Sequence, residues 1–257
     1  AKETFSGLTY DSRKTKENDI FFCIKGEHFD GNDFRGQARD KGASLIVSEV
    51  PPEPGFENCY AQVRDIREAM AEAANYFYDD PSKKLRILAV TGTNGKTSTT
   101  HIVEKILQTE KLNVGLIGTM GARWSIKGVR EEMIDMHHTT PQCIDFYDML
   151  HKMLENQVSH VTMEVSSHAL SQMRVGLCNF AGACLTNITQ DHLDFHITME
   201  NYKRAKAVLF ENLVTSVQEK KFAVLNRDEV VFDEFLSILE GTNVKPVSYG
   251  FHEEADY

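Results

Sequence analysis

The sequence predicts an α/β protein in two parts: a small N-terminal α/β unit, then a doubly wound, mostly parallel sheet. Three observations carry that expectation. Short apolar runs alternate with stretches of helical period along most of the chain. One run, Leu85–Val90, passes directly into a glycine-rich loop and then a helical pattern, the form of a strand covered on both faces. The composition, 41% hydrophobic and 26% charged over 257 residues, suits a chain able to bury a sizeable core.

The N-terminal unit, residues 1–81, reads as two strands and two helices. Asp19–Gly26 is an apolar strand ending in glycine, "DFRGQARDKGA" a short helix and Ser44–Val50 a second strand. "PPEPG" is a loop by composition. Asp65–Tyr78 places Ile66, Met70, Ala73, Ala74 and Phe77 at helical spacing, and "DDPSKK" then breaks the pattern, setting a boundary near Pro81.

The second part, residues 82–257, begins with the Leu85–Val90 strand and a helix from Thr97 to about Gln108. Strand Val114–Thr119 follows, then a hairpin around Lys127-Gly128. "TTPQCIDFYDMLHKMLEN" predicts a helix with a threonine cap and Pro141 in its first turn. Strands His160–Ser166, Ala181–Asn187, Phe222–Asn226 and Lys245–Gly250 alternate with helices over about 200–213 and 230–239. The sequence stops soon after a strand, so the second part is expected to be incomplete.

The net charge of −10 argues against nucleic acid or an anionic membrane as the main partner. No apolar run reaches the roughly 20 residues of a membrane helix, and no signal-peptide core opens the sequence. Cys23, Cys59, Cys143, Cys178 and Cys184 form no C-x-x-C pair, which favours reduced, buried thiols and a cytoplasmic location.

The chemistry concentrates in "LAVTGTNGKTSTT". Gly92 and Gly95 are separated by two residues, where the common phosphate loop has four. The context is nonetheless that of a phosphate cradle: strand before, helix after, glycines admitting an anion to backbone N–H groups. Gly92, Thr93, Asn94, Gly95, Lys96, Thr97 and Ser98 are the nucleotide-binding candidates, with Lys96 reaching the outer phosphates and the Thr97 hydroxyl a Mg²⁺ ion. Glu164, near the end of a neighbouring strand, is the acidic residue such a site wants. His192 and His196, four apart, would share a helix face. Zinc binding, a structural role and Mg²⁺ binding all remain open for them. Lys206 falls near the apolar stripe of its helix, where a snorkelling lysine is the plain alternative to a functional one.

"TGTNGKTST", "HTTP", "EVSSHAL", "LTNITQDHLDFH" and "YKRAKAVLF", in this order, closely resemble the Mur ligases of peptidoglycan synthesis, and among them the tripeptide-forming members. The short loop is normal in that family. "TYDSR" and "IKGEHFDGNDF" resemble its N-terminal UDP-binding domain and the remainder its central ATPase domain, with the third domain missing. The resemblance implies an ATP-dependent ligase that joins an amino acid, diaminopimelate or lysine, to UDP-N-acetylmuramoyl-L-alanyl-D-glutamate through an acyl phosphate. It implies two Mg²⁺ ions, one held by Thr97 and Glu164, the other by His192 and a Lys206 carbamylated by CO₂. Lys96, His192 and Lys206 would be catalytic. Thr139, Thr140, Ser166, Gln172 and Arg174 match positions that contact the muramyl peptide; Ser12, Glu27, His28 and Phe29 match the uridine-binding edge. The partners implied are UDP-N-acetylmuramoyl dipeptide, ATP and an amino acid, bound by a monomer. The alternatives are another Mur-type or folylpolyglutamate-type ligase, a plain phosphate-loop NTPase, and a fragment that binds nucleotide without turnover.

Overall fold

Asp79 and Asp80 both adopt positive φ, 57° and 41°, and so end the helical run ahead of Pro81. There the chain divides, in a computed structural model that describes residues 5–26, 29–126, 129–134, 136 and 138–257, into two units, Ala1–Phe77 and Tyr78–Tyr257.

The first unit is a four-stranded parallel sheet in the order β1 (Gly7–Thr9), β2 (Asp19–Phe22), β3 (Leu45–Ser48), β4 (Tyr60–Gln62). Helices α1 (Arg35–Asp40) and α2 (Ile66–Phe77) complete it. Strands β1 and β4, three residues each, were not expected: neither is long enough to show a period of two. Phe21, Cys23, Ala38, Ile46 and Phe56 form a buried cluster. On α2, Met70, Ala71 and Ala74 are fully buried, as the helical spacing of the apolar residues requires.

The second unit is an eight-stranded sheet in the order β12-β11-β10-β5-β9-β6-β7-β8. Its strands are β5 (Arg86–Thr91), β6 (Val114–Gly118), β7 (Gly121–Ile126), β8 (Val129–Ile134), β9 (His160–Glu164), β10 (Phe180–Leu185), β11 (Lys221–Asn226) and β12 (Val244–Tyr249). From β12 to β6 neighbouring strands run parallel; β6, β7 and β8 form an antiparallel meander. The expected hairpin is thus β7–β8, and its Lys127-Gly128 tip lies outside the described residues. Helices α3 (Lys96–Thr109), α4 (Cys143–Glu155), α5 (Ser167–Ser171), α6 (Leu193–His196), α7 (Met199–Thr215) and α8 (Phe232–Leu239) connect the strands. Trp124, Phe146, Tyr147, Phe180, Phe210 and Phe235 are almost wholly buried, each contributing about 2–3 kcal/mol of apolar transfer.

The expected threonine cap of α4 is not what forms. Gln142 is the N-cap, without a side-chain cap bond, and Pro141 precedes it. The Thr140 hydroxyl instead donates to the Glu164 carbonyl (3.0 Å) and accepts from the Ser166 N–H (3.2 Å), a long-range demand that overrides the local one. The five cysteines are free; burial pushes the thiols of Cys23, Cys143 and Cys184 up to about 12 and that of Cys178 well above its ordinary value.

Register positions the site. Cα pairs run Val90↔Glu164 across β5–β9 and Thr91↔Leu185 across β5–β10. Three parallel strands therefore end side by side, and the loops that follow them leave one edge of the sheet, where open α/β sheets place ligands.

On the flank, Arg123 of β7 holds Glu104 of α3 through two bonds, 3.0 and 2.6 Å, with both side chains largely buried. Arg123→Met should destabilise the chain by about 3 kcal/mol in urea denaturation, and the double change with Glu104→Leu should recover part of it. Equal loss in single and double variants would contradict this.

Candidate functional site

The loop after β5 is held in a form that only glycine allows at two points. Gly92 has φ 147°, and a side chain there would run into the Thr186 hydroxyl; Gly95, the N-cap of α3, has φ 85°. Lys96 folds back over this loop, its ammonium donating to the carbonyls of Gly92 and Thr93, both at 2.8 Å. Burial lowers its pKa, opposed by the charges of Glu164 and Asp191. Ser98 is exposed in the first turn of α3.

Beside the loop, Glu164 is a carboxylate at 1% exposure. The Thr97 hydroxyl donates to Oε2 at 2.8 Å, the Thr119 N–H to Oε1 at 2.9 Å and the Thr119 hydroxyl to Oε2 at 3.2 Å. All three donors are neutral, and among the described residues no cation pairs with it. A buried carboxylate facing a phosphate loop, hydrogen-bonded by neutral donors and with the Lys96 charge near but not paired to it, is suited to a hard cation. Among the described residues no three His, Cys, Asp or Glu side chains are grouped to hold a metal, so a cation here would draw its other oxygens from a ligand.

On the other side of the loop, Tyr202 of α7 joins the parts. Its hydroxyl lies 3.1 Å from Thr93 Oγ1, and Lys206 Nζ lies 4.4 Å from the centroid of its ring. Lys206 does not snorkel: it is 1% exposed and has no acidic partner among the described residues. Burial, with Lys96 nearby, brings its pKa down to about 7, against an opposing pull from Asp191.

His192 and His196 do not share a helix face. His192 is the N-cap of α6 in left-handed conformation (φ 51°), half-exposed, with Nε2 3.3 Å from Asp191 Oδ2. His196 is buried, bonded through Nε2 to Ser167 Oγ at 2.9 Å, and burial, aided by His168, brings its pKa down to about 4. The positive φ takes the His192 backbone out of helical register, yet both rings stand against Tyr202, at centroid distances of 6.2 and 5.2 Å. His168 lies between them, with ring centroids 4.7 Å from His192 and 5.4 Å from His196.

The remaining candidates of this unit meet at Thr140. Arg174, 8% exposed, donates to the Thr140 carbonyl (3.1 Å) and twice to Gln172 Oε1 (3.0 and 2.8 Å). It is a buried clamp on Thr140. Ser166 caps α5 by accepting from Ala169 N–H, and Thr139 Oγ1 lies 3.1 Å from Thr119 Oγ1. Lys96, Thr97, Thr139, Thr140, Glu164, Ser166, Gln172, Arg174, His192 and Lys206 thus belong to one connected set in the second unit. Ser12 and Phe29 belong to the first, where they line a cavity of about 470 Å³ together with Tyr10, Arg13, Phe34 and Gln37. Glu27 and His28 lie outside the described residues.

Comparison with known proteins follows the same division. The profile of the Mur ligase family catalytic domain matches residues 4–78, and that of the Mur ligase middle domain matches residues 90–257. The chain belongs to the Mur ligase family. A UDP-N-acetylmuramoyl-L-alanyl-D-glutamate–2,6-diaminopimelate ligase of Halalkalibacterium halodurans is 43% identical over 247 residues, 96% of this chain and 49% of the relative. A solved structure of a ligase of that name superposes with a TM-score of 0.82 at 29% identity, covering 98% of this chain and 50% of the other. MurF of Thermotoga maritima in complex with ADP shares the fold, with a TM-score of 0.58 at 20% identity, covering 95% of this chain and 50% of that one. The chain spans about half the length of the curated relatives it matches.

Four residues went unread in the sequence, three beside the phosphate loop of the second unit and Gln37 at the cavity of the first. Thr119 ends "LIGT", and only the pairing of β6 with β9 brings it to Glu164. Gln37, whose Oε1 accepts from Ser12 Oγ at 2.5 Å, and His168 sit in unremarkable helical turns. Asn187 follows β10, and its partners lie far back in the chain.

Lys206 gives a pH prediction. Its folded pKa is lowered, so between about 7 and 10.5 the unfolded chain binds more protons, and stability rises with pH through that window. Below about 7 both states are protonated and the whole penalty of the buried ammonium is present. Lys206→Met should therefore be more stable than wild type at pH 6.5 in CO₂-free buffer, with the difference shrinking by about 2 kcal/mol toward pH 9. A pH-independent difference in urea denaturation would contradict it.

Proposed function

We propose that the chain is the UDP-muramyl-peptide- and ATP-binding part of a ligase that adds diaminopimelate to UDP-N-acetylmuramoyl-L-alanyl-D-glutamate. The observation that carries this reading is the contact of Thr97 with the buried Glu164, which forms no salt bridge among the described residues, beside a phosphate loop. The curated relatives, 38–43% identical, are named for this reaction, which favours diaminopimelate over lysine.

Amide formation needs an activated acid. A carboxylate repels nucleophiles, and transfer of the γ-phosphoryl group of ATP converts it to an acyl phosphate that an amine attacks, releasing phosphate. The difficulty is bringing a carboxylate to a polyphosphate. Lys96, now on its own loop carbonyls, would swing to the outer phosphates. Thr97 and Glu164 would offer oxygens to one Mg²⁺, and a ring nitrogen of His192 with the oxygens of a carbamylated Lys206 would hold a second. Bound there, Mg²⁺ supplies the positive charge that lets the two anions approach. Carbamylation requires a neutral amine, and burial with a pKa near 7 favours that form. Thr139 and Ser166 would line the approach of the acceptor peptide, with Thr140 wholly buried behind them and held by Arg174, itself fixed by Gln172. The first-unit cavity lined by Ser12 and Phe29 would take the uridine end. The proposed work, on a nucleotide-linked substrate with ATP, is a cytoplasmic step of cell-wall synthesis that supports cell shape and division, carried out by a monomer.

The test is ADP release by the full-length protein. It should require UDP-N-acetylmuramoyl-L-alanyl-D-glutamate, Mg²⁺ and diaminopimelate together. Lys96→Ala, Glu164→Gln and Lys206→Ala should each lower turnover at least a hundredfold. Turnover without the muramyl peptide, or a Lys206→Ala variant near wild type, would favour a plain NTPase.

A further inference from the structure

The short phosphate loop is braced from outside by the segment after β10. The Thr93 N–H donates to the Asn187 carbonyl at 2.8 Å, and the Asn94 N–H to Asn187 Oδ1 at 2.9 Å. Asn187 Nδ2 donates back to the Asn94 carbonyl at 3.1 Å, joined there by the Thr186 hydroxyl at 2.6 Å. Thr93 Oγ1 donates to the Thr189 carbonyl and accepts from the Thr189 N–H, at 3.1 and 2.9 Å. The outer half of the loop has its backbone donors committed to this brace. Among the described residues, the N–H groups of Gly95, Lys96 and Thr97 have no acceptor, as expected at a helix start.

We propose that Asn187 is a positioning residue for the phosphate loop: it consumes the amides of Thr93 and Asn94 and thereby presents those of Gly95, Lys96 and Thr97 to the polyphosphate. The inference rests on the loop being the ATP site. It explains how a loop with two residues fewer between its glycines works. A longer loop wraps the anion with its own amides; this one is held open by a neighbouring strand's loop, which fixes the direction of the remaining donors before ligand arrives. Asn suits the position because one side chain both accepts from Asn94 N–H and donates to Asn94 C=O.

Residue-resolved amide exchange on the unaltered chain, with and without ATP and Mg²⁺, tests this without a variant. Thr93 and Asn94 amides should be protected before nucleotide is added, and Gly95, Lys96 and Thr97 amides should gain protection on adding it. Calorimetric titration of Asn187→Ala should show ATP–Mg²⁺ affinity about tenfold weaker, with the nucleotide-free melting temperature within about 3 °C of wild type. The proposal is overturned if the variant binds as wild type, if its melting temperature collapses with its affinity, or if Thr93 and Asn94 gain protection while Gly95–Thr97 do not. If the variant does not fold, the exchange pattern decides. A wild-type chain with no affinity for ATP would overturn the phosphate-loop reading itself, and this inference with it.

Discussion

Everything at the site depends on three parallel strands ending in register. The alignment of β5 with β9 and β10 sets Gly92, Glu164 and Thr186 at neighbouring strand ends. A slip of one residue would turn Glu164 to the other face of the sheet and remove it from Thr97. The register is secured by one buried apolar face that the three strands share: Ile87, Ala89, Val161, Met163 and Ala183 lie on it and are all buried. Hydrophobic burial, which has no direction of its own, thus acquires one through the ladder and delivers a carboxylate to within 2.8 Å of a hydroxyl that is 67 residues away in sequence.

Two buried charged groups are the features this edge supports at a cost to stability. Glu164 is stabilised by three neutral hydrogen bonds. Lys206 has an aromatic face and no acidic partner among the described residues, and its lowered pKa measures that cost. Groups left in this state are functional candidates on physical grounds. Under the proposed reading they are complementary: one awaits a cation, and the other becomes an anion by carbamylation.

Much of this was legible in the sequence, and the failures have identifiable causes. The phosphate loop is legible because its elements are contiguous: strand, glycine turn and helix occupy one stretch. Lys206 is legible because a helix has a period, so a lysine in the apolar stripe stands out. Thr119 and Asn187 are not, because each acts through a partner from a different strand, and nothing local marks a threonine or asparagine at a strand end. The Thr140 cap and the shared face of His192 and His196 were read from local rules. They were overridden by a long-range hydrogen bond to Glu164 in one case and a left-handed backbone at His192 in the other.

The central claim is that Thr97 and Glu164 receive the metal of a metal–nucleotide complex. Anomalous scattering from crystals of the chain grown with Mn²⁺ and a non-hydrolysable ATP analogue tests it most directly. The account predicts a peak between Thr97 Oγ1 and the Glu164 carboxylate, beside the terminal phosphates. Nucleotide bound with no metal peak at that position, or with its phosphates away from the amides of Gly95, Lys96 and Thr97, would contradict it.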